Sequence, residues 1–296
     1  MTDVSRCLVS VLRICGVLLA AIGILIGSPP ARSDDAVRMS AGMVDDNGFR
    51  VHGVESPYQA DKTQLYVLQG DRLAPGHRYP VVYVLPVESG NEHRYGNGLL
   101  EIKNNDLHNQ HEAIFVAPTF SHTPWFADHP TDPTVRQETY FLKVVVPLVE
   151  QTYAALAEPS GRLLLGFSKS GWGAWTLLLR HPEVFGRAAA WDSPLLMDRF
   201  GLYSSGAIFG DEENFKRYHV TSLLRDKADR VRDGKRLVLM AYGPTPQGHE
   251  KVHALLDELR IAHAYRDGPQ RKHDWHSGWV RDAVEELLAA PKQEIR

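Results

Sequence analysis

An apolar run, Arg162-Leu-Leu-Leu-Gly166-Phe167, passes without a break into Ser168-Lys169-Ser170-Gly171-Trp172-Gly173-Ala174, and no other stretch constrains the fold as much. It reads as a strand, a sharp corner and a helix. A serine at such a corner sits in a strained backbone position, with room only for small residues two places before and two after it. Gly166 and Ser170 meet that demand. Ser170 stands where a second glycine is usual, a small change in size, and Gly171 and Gly173 let the helix lie close to the strand. The corner presents the Ser168 hydroxyl as a candidate nucleophile.

Hydrophobic residues make up 43% of the 296, enough for one large buried core. After a polar entry segment over 34–61, apolar runs alternate with helix-periodic stretches, the pattern of a mostly parallel sheet with helices on both faces. Strands are predicted at 65–69, 81–87, 113–117, 162–167, 187–191, 236–242 and 262–266. Helices are predicted near 90–107, 135–156, 171–180, 212–232, 248–260 and 277–289, with Pro147 kinking the second or marking its restart. Loops 118–134 and 193–211 follow strands, where an open parallel sheet places its ligand crevice, and are the predicted pocket rim.

The N-terminus carries Arg6 and Arg13, an apolar stretch of 14 residues from Ile14 to Gly27, and small residues up to Ser33. That is the order of a secretory signal, and the stretch is short of the roughly 20 residues a membrane span needs. Residues 1–33 are therefore expected to be a signal peptide, leaving a single domain over 34–296, exported to the periplasm or medium without a membrane anchor. Cys7 and Cys15, the two cysteines of the chain, fall within this leader, so neither a disulfide nor thiol chemistry is expected beyond it. The formal net charge of −3 would become −5, with no basic run suited to nucleic acid.

A serine needs a base within hydrogen-bond reach. His273 follows the last predicted strand and is the candidate, with His276 as its rival. At this point the chain resembles the esterase-D-like putative esterase family, which includes feruloyl and acetyl-xylan esterases, S-formylglutathione hydrolases and mycolyltransferases. The likeness covers roughly 65–290. It rests on Gly-Phe-Ser-Lys-Ser-Gly at 166–171, Leu178-Leu-Arg-His-Pro-Glu-Val-Phe185, Glu138-Thr-Tyr-Phe-Leu-Lys-Val-Val-Val-Pro-Leu-Val-Glu-Gln-Thr-Tyr153, and His273-Asp-Trp with Trp279. The resemblance implies an α/β-hydrolase fold and a serine hydrolase acting on a small-molecule or polysaccharide-linked carboxylic ester, with Ser168 as nucleophile and His273 as general base.

Two departures from the family stand out. Its acid usually follows the penultimate strand, where this chain reads Gly243-Pro244-Thr245-Pro246-Gln247 and has no carboxylate. Asp192, after the strand before it, can reach the same histidine, as in pancreatic-type lipases, which this place resembles; Glu250 or no acid at all are the alternatives, and an Asx turn before Ser193-Pro194 is the structural reading of Asp192. An oxyanion hole needs two backbone donors. One would be Lys169 N–H; the other falls in Pro86-Val87-Glu88-Ser89-Gly90, where relatives commonly show His-Gly. Pro86 has no N–H, so Val87 or Glu88 would donate. Glu88, Trp125 and Trp172 are assigned to the substrate pocket, Trp125 through Trp125-Phe-Ala-Asp128, which resembles an aromatic-acid stretch of the family and would serve the core equally well. Lys169 could steer an acidic substrate or be solvated.

Other functions compete. Fourteen histidines, with His249 and His253 one helical turn apart, raise a metal hydrolase, but no His-Glu-x-x-His match accompanies them, and neither metal nor cofactor is expected. A non-catalytic member of the fold could bind carbohydrate or an exported partner in the same crevice. No lid-sized domain that would gate peptides is visible.

Overall fold

In the computed structural model, which describes residues 37–289 except residue 245, ten strands form one sheet. The leader expected over 1–33 lies outside the described residues. The strands are β1 Arg38–Met39, β2 Met43–Val44, β3 Arg50–Glu55, β4 Thr63–Gln69, β5 Val81–Val84, β6 Ile114–Pro118, β7 Arg162–Phe167, β8 Arg187–Trp191, β9 Leu237–Met240 and β10 His263–Arg266. Their order is β1-β3-β4-β6-β5-β7-β8-β9-β10, with β2 also paired to β3. From β6 to β10 neighbouring strands are parallel; β1 to β4 join as an antiparallel extension.

All seven predicted strands are present, and the polar entry segment, to which no strand was assigned, forms β1 to β3. Its alternation is disguised because one inward residue is His52, buried with its ring nitrogens bonded to the Ser40 carbonyl and the Tyr153 hydroxyl. The central strands read as continuous apolar runs because both faces are covered. Along β7, Leu164 enters the core on one face, while Leu163, Leu165 and Phe167 enter the core on the other. The first core includes Trp172 and Leu178 of the helix after β7, the second Leu99 and Ile102 of Gly98–Asn104 and Val280 and Val284 of Val280–Leu288.

Three predicted helices are interrupted. The first shrinks to Gly98–Asn104 and Leu107–Gln110, its start set by Asn97, whose side chain accepts from the Leu99 and Leu100 amides. The fourth divides into Glu212–Lys216 and Val220–Val231 around an extended His219. In the second, Gln137–Tyr140 passes through a π-helical turn, Phe141–Val145, into Val146–Thr152. Pro147 lies in the first turn of that last segment, where a missing N–H costs least; the helix restarts there. Among the described residues no helix is long and apolar enough to cross a membrane.

Two of the sequence stretches singled out above meet around Glu138. Arg180 Nε and Nη2 donate to its carboxylate at 2.6 and 3.0 Å, Tyr218 donates at 2.8 Å, and His181 Nε2 lies 2.6 Å away. Burial pushes the Glu138 carboxyl up, but the His181 and Arg180 hydrogen bonds outweigh it and hold the group at about 2, against an ordinary 4.5. Its contribution to stability is thus fully present above pH 4.5 and lost as pH falls through about 2. Glu138→Gln is expected to destabilise the fold by about 3 kcal/mol at pH 7. Urea denaturation should show the gap from wild type closing between pH 4.5 and 2; a gap independent of pH would remove Glu138 from this role.

Candidate active site

The residue directly after β7 has a left-handed φ: Ser168 has φ 52° and ψ −125°. Its amide donates to the Trp191 carbonyl at 3.0 Å, and Lys169–Arg180 begins directly after it. The small residues around the corner are explained by contact. A Cβ on Gly166 would lie 2.1 Å from the Ser170 carbonyl oxygen. At Gly171 it would meet Ser193 Cβ at 2.8 Å, and at Gly173 the Phe126 ring at 2.0 Å. Gly173 therefore makes room for a loop ring, not for the strand. Ser170 does more than stay small: its hydroxyl accepts from the Phe167 amide and donates to the Phe167 carbonyl, both at 2.9 Å, bracing the corner.

His273, in the connection after β10, has its Nδ1 hydrogen-bonded to Asp192 Oδ2. Asp192 follows β8 with φ 40°, and its side chain is 3% exposed. Its carboxylate is turned to the imidazole, more than a turn-forming Asx group requires. The turn after β9 shows how it fits: a Cβ on Gly243 would lie 2.3 Å from Asp192 Cγ. The first position of the turn where an acid was sought therefore has no room for a side chain beside Asp192. His276 is engaged elsewhere, Nδ1 with Glu101 at 2.7 Å and Nε2 accepting from the Asn97 amide at 3.1 Å. Glu250 is exposed on Pro246–Glu258, beside Tyr265.

Neighbours hold the pair in place. The His273 ring lies 4.4 Å from Phe167 and takes Tyr95 edge-on at 5.4 Å. Beneath it Phe167, Trp191 and Trp279 stack in sequence, at 5.0 and 4.7 Å. His249 is buried, and its Nε2 accepts from the Ser193 amide at 3.0 Å, fixing the backbone beside Asp192. Burial lowers the His249 pKa, although Asp192 and backbone carbonyls pull it back up, so it favours the neutral acceptor. Tyr95 does not stand out in the sequence, since it lies in no motif, and His249 is singled out there only for its spacing to His253, not for a place beside Asp192.

Ser168, Lys169, Asp192, His273, Val87 and Tyr95 line one open cleft of about 760 Å³. Its far wall is the connection after β8, from Ser193 to Arg199 and Leu202 to Ser204. Loop 193–211 is therefore a rim as expected, with Tyr203 64% exposed. Loop 118–134 is not: Phe120, Trp125, Phe126 and Ala127 are fully buried. Trp125 and Trp172 meet edge to face at 6.1 Å, and Trp172 stacks on Phe215 at 5.9 Å, so both are core residues outside the cleft lining. Glu88 also leaves the pocket assignment. Its buried carboxylate accepts from the Arg94 amide at 2.6 Å and pairs with the Arg94 guanidinium, on the wall of a separate small cavity.

The helix Lys169–Arg180 cannot satisfy its own first amides, so the Lys169 N–H is a donor at the positive end of the helix beside Ser168. Val87 reaches the same cleft just after Pro86. Burial lowers the pKa of the Lys169 ammonium, an effect Glu88 partly offsets. The cleft thus gathers a serine hydroxyl, an imidazole paired with a buried carboxylate, and the amide at the start of a helix, the group types that acyl transfer uses. Among the described residues, a group able to hold a metal ion, His253, Asp257 and His263, is not part of this lining.

Comparison with known proteins places the chain in a family and a fold. The family described as putative esterase matches residues 59–241. Two esterases from strains of Mycobacterium tuberculosis are each 28% identical over 140 residues, covering 46% of this chain and 30% of their own. The match thus spans under a third of those relatives' length. Among solved structures, the fluorophosphonate-binding serine hydrolase F of Staphylococcus aureus has a TM-score of 0.66 at 16% identity, covering 82% of this chain and 98% of its own. An S-formylglutathione hydrolase from Agrobacterium tumefaciens gives 0.67 at 16%, covering 85% and 98%. A ferulic acid esterase of Anaeromyces mucronatus gives 0.55 at 17%, covering 80% and 88%. At these identities the structural likeness establishes the α/β-hydrolase fold alone.

Proposed function

The chain belongs to the putative esterase family, and from that premise we propose that it is a serine hydrolase of carboxylic esters. The observation that carries this reading is the hydrogen bond between His273 Nδ1 and the buried Asp192 carboxylate, in the cleft that Ser168 lines. With Nδ1–H held by Asp192, His273 Nε2 is the free base. It takes the Ser168 proton as Oγ bonds to the ester carbonyl carbon. The carbonyl oxygen becomes an oxyanion facing the amides of Lys169 and Val87. His273 then returns the proton to the departing alcohol, leaving an acyl group on Ser168. Water, deprotonated by His273, attacks that acyl group; the bond to Oγ breaks, His273 returns the proton to Oγ, and the acid leaves.

The open cleft and its exposed aromatic rim fit a small or polysaccharide-linked ester. We place the protein outside the cytoplasm, on the strength of residues 1–33. The decisive experiment is labelling of wild type and Ser168→Ala with a fluorophosphonate, which forms a phosphonyl ester on an activated serine and expels fluoride. An adduct located on Ser168 by mass spectrometry and absent from the variant is expected. Wild type that stays unlabelled at high probe concentration would reject the reading in favour of a non-catalytic crevice binder.

A further inference from the structure

The helix Pro246–Glu258 and strand β10 bring together two histidines that the proposed hydrolysis does not use. His253 Nδ1 and His263 Nε2 face each other at 2.7 Å, and Asp257, one helical turn after His253, has its carboxylate 3.7 Å from His253 Nε2. One ligand atom from each of the three lies within 4.8 Å of the others. The pairing suggested by sequence spacing, His249 with His253, is not formed, because His249 turns inward to Ser193.

From this cluster we infer a binding site for a borderline transition-metal ion, with zinc as the physiological class, formed by His253, His263 and Asp257. Two imidazoles and one carboxylate are a donor set that suits Zn²⁺ and would take Cu²⁺ or Ni²⁺ as competitors, with a fourth position left to water.

The surroundings orient the donors. His263 Nδ1 lies 2.8 Å from the Ile261 carbonyl. Donation there leaves the Nε2 lone pair aimed at His253, an arrangement that commonly orients metal-binding histidines. The segment that supplies this carbonyl is itself tied down: the Ile261 amide donates to Leu256 O at 2.9 Å and the Ala262 amide to Arg232 O at 2.7 Å. His263 is thus preset, being the first residue of β10.

The adjustable partner is His253. Its ring stacks on Tyr265 at 4.0 Å with an interplanar angle of 1°, a contact along which it can slide. An ion about 2.0–2.1 Å from both nitrogens requires them to separate by roughly 0.6 Å, within the reach of a partly exposed side chain. His253 frees its Nδ1 lone pair for the ion by tautomeric exchange of the proton to Nε2 through solvent. The ion would clamp the end of the helix to β10, the strand that leads to His273, and its role is structural.

Tag-free full-length protein should be titrated with zinc chloride by calorimetry. One saturable equivalent is expected, together with a zinc-dependent rise in melting temperature. His263→Gln should remove both, and Asp257→Asn, at an exposed position that folding does not require, should weaken binding about tenfold or more. Absence of a saturable equivalent would overturn the proposal and leave the histidines as a hydrogen-bonded pair. An equivalent retained at full strength in Asp257→Asn and in whichever His263 or His253 variant folds would overturn it as well.

Discussion

Replacing Ser168 by alanine is expected to lower kcat on a short-chain ester by about 10⁶-fold. Without Oγ no acyl intermediate can form, and His273 has no protein proton to take. What survives is binding and the donors near Lys169 and Val87, which alone give roughly 10³–10⁴-fold over water. The fold should be unaffected. Ser168 is partly exposed, and its φ of 52° is as strained for serine as for alanine. Turnover of p-nitrophenyl acetate, followed alongside the melting temperature, measures both. A fall below about 100-fold in a protein with unchanged melting would mean that another group is the nucleophile.

The second large effect belongs to Asp192. Asp192→Asn is expected to reduce kcat by about 10⁴-fold with little change in KM. The carboxylate accepts from His273 Nδ1–H and stabilises the imidazolium; an amide can turn its NH₂ toward the same nitrogen and favour the tautomer that leaves Nε2 protonated. The site is already sterically prepared, because Gly243 leaves open the space the side chain occupies and asparagine is nearly isosteric. Glu250→Gln is the matched control, since Glu250 is exposed on its helix, and it should stay within about twofold of wild type. A loss of less than about tenfold in Asp192→Asn, or an equal loss in Glu250→Gln, would remove Asp192 from the mechanism.

The chain announces its fold in places where one physical requirement dominates a stretch of sequence. The corner at Ser168 is legible because Gly166 and Ser170 are the only sizes that fit there. The central strands are legible because burial on both faces makes them uniformly apolar. Legibility fails where a polar side chain is buried by a partner distant in sequence. His52 conceals β3 because Tyr153, which satisfies it, is 101 positions away. The pocket assignments of Trp125 and Trp172 failed for the opposite reason: proximity in sequence to Ser168 or to a strand end says nothing about which side of the helix a ring faces. Glu88 similarly turned to Arg94, in its own loop. For the acid, chain order supplied the candidates, but only contact in space separates Asp192 from Glu250.

The empty volume at Gly243 also bears on how this cleft can change. With the carboxylate supplied from the end of β8, the turn after β9 has no charged group to aim, yet Pro244 and Gly248 still border the cleft. On the proposed function, the β9 connection contributes to the border of the cleft, and the β8 connection supplies the acid. Substitutions at Pro244 or Gly248 are expected to reshape the opening, whereas the β8 connection carries Asp192 and the facing wall together, so change there alters both at once. A directed search for new ester preferences should start at the first and leave the second alone.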